Sequence, residues 1–509
     1  VSNNAGAGES NICTFAYFDN GQPSSVVYAN GASSHFSYEA NGVVSTIDHR
    51  IDNTTLILLA YEYDDRNLPT TLTETTASGT LVKGYVHDQR GRLTSESRDD
   101  GTTVELRSYS YDQVGNRLQL QVMVDGVVQE TTVYHYDCEN VSVYQSDNNR
   151  LTWSETRDGG GQLVDTSWYF YDNPFGNISR IVTSESGSNA FDSTAFVYTE
   201  RGEPWLMWEE SWNDLGAGPV DIVRGDVIET RADQSIPRLW RVRDGATLAP
   251  IGTAEWTTNF GNLTSAYVAD ESTGAQTELF ARLPGLGRQS GSVFIAELCD
   301  ALGSIRRTVR GSTVTELDYR AFGESLGASS EPFGFSGAHG ARSSFGGVAF
   351  GGGELVQVGA RMLAPANGRF TMRDPSGIAD GPNTYTFVRN MPTRLVDQTG
   401  KEGIIARIDR WIFGPPIDVQ KLAVKPTAPP PKPEKPPAPG PEDIAPEPHN
   451  TPTTSTRVPV PTTEKKSNGT GVTRIRCQAC GDSHVCVPNR AADLVPRLRA
   501  PILPPPSVK

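Results

Sequence analysis

Aromatic and polar residues alternate in short runs along most of the chain, and each run breaks at Gly or Asn. Tyr61-Glu62-Tyr63-Asp64 runs into Asn67. Tyr109-Ser110-Tyr111-Asp112 runs into Gly115, and Tyr134-His135-Tyr136-Asp137 repeats the opening. Alternation with a period of two predicts strands, with both aromatics of Tyr-x-Tyr on one face and stacked on the neighbouring repeat. The Asp that follows accepts backbone N–H groups across a turn, and Gly or Asn supplies the positive φ that a tight hairpin needs. Residues 92–97 then read as the return strand.

Taking the residue after the second aromatic (or after His87) as a marker gives positions 19, 39, 64, 88, 112, 137, 172 and 199. The spacing is close to 24 through most of the series, which defines an internal repeat. One hairpin is only marginally stable in water, so the units must share a core. The expected fold class is therefore all-β over residues 1–202. Residues 203–298 continue as strands whose register the sequence does not set.

Composition supports this reading. Apolar residues are 37% of 509, with 50 Gly and 35 Pro, which suits many short strands better than long helices. No window approaches 18 uncharged apolar residues, so no transmembrane segment is expected. The chain opens at Val1 without an initiator Met, which reads as a fragment whose missing part holds a delivery module or contacts a cell surface. The six cysteines are too few and too scattered for a disulfide framework.

Charge divides the chain. Residues 401–509 carry 16 Lys+Arg against 10 Asp+Glu, a balance of +6, which leaves −21 on residues 1–400. An acidic body is a poor partner for nucleic acid, because phosphate contacts need a basic surface. It is suited to holding a basic tail, although two solvated surfaces of unlike charge fit the same numbers.

Pattern and composition both change near residue 403. Apolar positions 404, 405, 408, 411 and 412 predict a short amphipathic helix within 404–425, ended by Pro415-Pro416. About two residues in five are Pro from 426 to 461, so 426–470 reads as a largely disordered, Pro-rich linker. Residues 471–509 form a small segment containing Cys477, Cys480, His484 and Cys486. Three thiolates and an imidazole suit tetrahedral zinc, with a disulfide or free thiols as competing readings.

The Tyr-Asp series resembles the YD repeats of the Rhs family, which also occur in Tc toxins and teneurins. From Cys299 onward, Asp318-Tyr319-Arg320-Ala321-Phe322-Gly323, Gly368-Arg369-Phe370, Arg373-Asp374-Pro375, Asn383-Thr384-Tyr385 and Asp397-Gln398-Thr399-Gly400 are similar to the Rhs repeat-associated core. The resemblance implies a β-hairpin array spiralling into a hollow shell, closed by the core domain at 299–403. It also implies a secreted or cell-surface protein whose shell encloses its own C-terminal segment and needs no cofactor.

In that family the core resembles an aspartyl protease that cuts its own chain. The implied catalytic residues here are Arg361, Asp374 and Asp397, and the implied scissile bond joins Lys401 to Glu402. Paired carboxylates share a proton, so one activates water while the other protonates the carbonyl. Two positions depart from the family pattern: Gln398 replaces a proline, and Lys401 replaces a leucine. The competing reading makes Asp374 a turn cap and Arg361 its buried ion-pair partner. A non-cleaving adhesion or carbohydrate-binding protein with a Pro-rich spacer is the alternative function. No Gly-x-Ser-x-Gly or phosphate-binding loop appears in a strand–helix context, and no His-Glu-x-x-His motif is present.

Overall fold

A computed structural model describes residues 2–3, 10–136 and 149–405, with short breaks at 200–201, 203, 214–221, 226, 234–235, 244, 247–249, 261–262, 270–275, 291, 328–330, 346–347, 350–354 and 402. Asp137, Cys138, Glu402 and the tail from 406, including all four candidate zinc ligands, lie outside the described residues.

Strands dominate, and they run as one antiparallel meander from Cys13–Tyr17 to Thr313–Glu316. The stretch without a readable register contains strands as long as Pro204–Asn213 and Pro250–Phe260, paired in ordinary antiparallel ladders with their neighbours.

Several turns are tied by an Asp, while others use an Asn such as Asn20, Asn41 or Asn173. One carboxylate oxygen accepts the N–H groups two and four residues on, at Asp64, Asp88, Asp112, Asp158 and Asp300. This is an Asx turn, which the side chain can build at any point along the chain.

The second Tyr does something else. A register shift falls just before it at Tyr38, Tyr63, Tyr111, Tyr136 and Tyr198. The extra residue of a bulge re-aims the following side chain, and each hydroxyl reaches a carbonyl one repeat back. Tyr63 donates to Val44 O, Tyr111 to Leu93 O, Tyr136 to Arg117 O and Tyr198 to Ile178 O. Ring pairs occur within one strand, such as Tyr61–Tyr63 at 6.4 Å, as well as between strands. Phe18–Tyr38, edge-on at 6.1 Å, does link successive repeats.

The sheet coils so that its first strands meet its last ones. Asn30 donates to Val309 O, and the His49 imidazole meets Cys299 O at 3.0 Å. Residues 317–400 form small two- and three-stranded pieces that pack inside this coil. Phe322, Phe370, Tyr385 and Phe387 share a core with Leu93, Tyr109, Tyr134 and Leu151 of the repeat strands. Beside this plug a cavity of about 870 Å³ remains, lined by Tyr38, Tyr61, Tyr85, Lys83, Arg306 and Arg394 among others.

The helix expected from residue 404 does not start there. Ile404–Ile405 is a strand paired with Leu395–Val396. Two residues of pairing satisfy backbone groups that this short edge would otherwise leave open, and helical periodicity cannot register such a partner.

Candidate active site

Arg361 opens the strand Arg361–Ala364, which pairs with Val356–Val358 on one side and Arg369–Phe370 on the other. Its side chain is buried, with the guanidinium 3.6 Å from the Phe370 ring centroid. Nη1 donates to Thr384 O at 3.3 Å. Nη2 lies 3.1 Å from Asp374 Oδ2 and 3.1 Å from Asp397 Oδ2. Two carboxylates on one nitrogen are within about 6 Å of each other, close enough for their ionisations to be linked.

Asp374 follows the strand Arg369–Phe370, and its own N–H donates to Thr384 O at 2.9 Å. Its Oδ1 accepts the Ser376 backbone N–H at 2.7 Å and the Ser376 hydroxyl. Asp397 follows the strand Leu395–Val396. Its Oδ1 accepts N–H groups from Thr399, Gly400 and Lys401 at 3.2, 2.7 and 3.1 Å. That fan of bonds closes the turn without the proline that Gln398 replaces, and the Gln398 side chain faces solvent.

Two glycines let the chain reach this geometry. Gly359, at φ +53°, carries no Cβ, and one there would fall 2.1 Å from the Thr399 carbonyl carbon. A Cβ on Gly400, at φ +69°, would fall 2.4 Å from Val358 O. The segments 358–361 and 399–400 are thus in backbone contact, sealed by Ala360 N–H to Thr399 O at 3.0 Å.

The three charged groups do not balance. One guanidinium faces two carboxylates in a buried site, so charge neutrality calls for one proton on the pair. Burial raises the Asp397 carboxyl above the usual range, although Arg361 and the N–H groups at Lys401 and Gly400 pull it down. Burial also lowers the Arg361 guanidinium, opposed by Asp374 and Asp397.

The geometry brings together Arg361, Asp374, Asp397 and Lys401. The half-buried Lys401 has its N–H on Asp397, and its carbonyl oxygen lies 3.2 Å from Ser376 Oγ. Sequence reasoning missed Ser376 and Asp380. Asp380 Oδ2 accepts the Gly403 N–H at 3.2 Å, and Oδ1 is paired with Arg389, which has φ +57°. A carboxylate six residues after Asp374 has no repeat or spacing to mark it, and only the folded chain brings it to Gly403. Among the described residues there is no cluster of His, Cys, Asp and Glu suited to a metal. No described helix is long and apolar enough to cross a membrane.

No protein-family model matches the chain, and no curated protein matches it in sequence. Solved structures do. A structure of the Photorhabdus luminescens Tc holotoxin pore, carrying a point mutation in TccC3, is 18% identical, with TM-score 0.50 over 81% of this chain. A TcdB2–TccC3 structure is 19% identical over 78% of this chain, with TM-score 0.49. The chain spans about a fifth of the length of each of these. The likeness to the holotoxin shows the fold, an all-β, Rhs-like shell.

Proposed function

We propose that this chain is an Rhs-family shell protein, secreted or displayed at a cell surface, that encloses its own C-terminal segment and releases it by cutting after Lys401. The observation that carries the reading is that Lys401 has its N–H on Asp397 and its carbonyl beside Ser376, which hydrogen-bonds Asp374, the two acids being tied to one arginine. Spacing in the sequence left these groups unconnected.

Each group has a defined part in the hydrolysis. Water adds through oxygen to the Lys401 carbonyl carbon, and its proton goes to the ionised carboxylate of the pair. The proton already on the pair goes to the carbonyl oxygen. When the tetrahedral intermediate collapses, the C–N bond breaks and the Glu402 nitrogen takes a proton. The products are a Lys401 carboxylate and a Glu402 amine. Arg361 orients both acids and offsets one of their charges throughout.

On this reading residues 13–316 form the wall, 317–401 the plug and protease, and 402–509 the released segment. The wall is acidic and the segment basic. Cys477, Cys480, His484 and Cys486 would hold a structural zinc in that segment.

The test is purification and electrophoresis. Wild-type protein should migrate as two fragments, the smaller beginning at Glu402, while Asp374→Asn and Asp397→Asn each leave one full-length band. A single intact wild-type band would instead favour a non-cleaving adhesive shell with a Pro-rich spacer.

A further inference from the structure

Ser376 lies between Asp374 and the Lys401 carbonyl. Its Oγ is within hydrogen-bond distance of Asp374 Oδ1 and 3.2 Å from Lys401 O. A serine hydroxyl has one hydrogen, so it cannot donate to both acceptors at once. In the resting site the hydroxyl donates to Asp374 Oδ1. Both contacts are met together only once the single proton shared by the pair sits on Asp374 Oδ1, whose O–H then donates to Ser376 Oγ while the hydroxyl donates to Lys401 O.

The turn itself does not need the hydroxyl. Asp374 Oδ1 already accepts the Ser376 backbone N–H at 2.7 Å, and the Gly377 N–H donates to Asp374 O at 3.0 Å. The side chain is exposed, so folding alone places no demand on it.

We propose that Ser376 is a catalytic residue of the self-cleavage, relaying the proton of Asp374 to the Lys401 carbonyl oxygen. This rests on the self-cleavage reading above. As water oxygen bonds to the carbonyl carbon and its proton passes to Asp397 Oδ2, the hydroxyl proton of Ser376 moves onto the carbonyl oxygen. The Asp374 proton replaces it on Oγ. Serine ends as it began, and the pair has exchanged one proton for another. A donor aimed at the developing oxyanion is commonly worth about 10²-fold in rate, and proton relay belongs to the same range.

The experiment follows the cleaved fraction with time during cell-free synthesis of the full chain, for wild type, Ser376→Ala, Ser376→Val and Ser376→Thr, with Asp374→Asn as the uncut reference. Thr keeps the hydroxyl, and Val has the same shape without it. The expected result is that wild type and Thr cut, while Ala and Val slow about 10²-fold with unchanged melting temperatures. Ala and Val cutting as fast as wild type would overturn the relay and leave the self-cleavage reading standing. Thr as slow as Val would show a packing effect and also overturn the relay. An uncut wild type would overturn both.

Discussion

His49 and His339 show how single buried groups respond to solvent conditions. The geometry fits a neutral His49 ring, with Nδ1 accepting from the Ser34 hydroxyl at 2.8 Å and Nε2–H donating to Cys299 O. His339 Nε2–H donates to Leu302 O at 3.1 Å. Burial pushes both imidazoles down to about 4, from 6.5, and lowers His87 as well. A depressed histidine binds fewer protons folded than unfolded, so stability must fall as pH drops from 6.5 toward 4. Each contributes at most about 1.4 kcal/mol per pH unit. Asp300 and Asp397 are raised and act in the opposite direction over a window that opens at 3.8, at the lower end of the histidine window. The urea midpoint should therefore be lower at pH 5 than at pH 7, and an equal or higher midpoint at pH 5 would contradict this account. At the same scale, Asp374 and Arg361 show that the two sequence readings were compatible. Asp374 caps a turn and pairs with a buried arginine, and the same arginine holds Asp397, which accepts the Lys401 N–H.

Repeats such as the one at Tyr111 and Asp112 are held by two devices of different range. The Asx turn at Asp88 or Asp112 is local and was readable as Asp followed by Gly. The tyrosine hydroxyl bond spans 18 to 20 residues, as in Tyr111 to Leu93 O and Tyr171 to Leu151 O. At Tyr111 it follows a bulge that side-chain pattern does not announce. Tyr171 is buried, so Tyr171→Phe leaves a carbonyl in the interior without that donor. The expected cost is about 1–2 kcal/mol, read as a lower urea midpoint at unchanged slope. No change in the midpoint would show that the hydroxyl contributes nothing to repeat stacking.

Across the whole molecule, a buried charge cluster joins wall and plug. Arg306 pairs with Glu74 Oε2 at 2.8 Å and Asp318 Oδ1 at 2.7 Å, and Lys83 bridges the same two acids at 2.6 Å each. Residues more than 200 positions apart are thereby fixed to one another. Arg306→Met removes one cation and leaves buried Glu74 with Lys83, which it shares with Asp318, while Asp318 also keeps Arg98. Breaking a buried network from one side costs about 3–5 kcal/mol, so this variant should unfold at clearly lower urea than wild type. A midpoint within error of wild type would mean that the cluster does not couple plug to wall.

What the sequence determined by itself was local and periodic: strands from the alternation in Tyr-x-Tyr, turns from Asp with Gly or Asn, and a change of character near residue 403. These follow from neighbours within one hairpin, where side-chain chemistry and chain geometry act over a few residues. Tertiary structure decided the rest. It brought Asp374 and Asp397 to one nitrogen of Arg361, set Ser376 on the Lys401 carbonyl and Asp380 on Gly403, and turned 404–405 into a strand. Those contacts join segments brought together by the packing of a plug against a coiled sheet. No local pattern of polar and apolar residues encodes such a meeting.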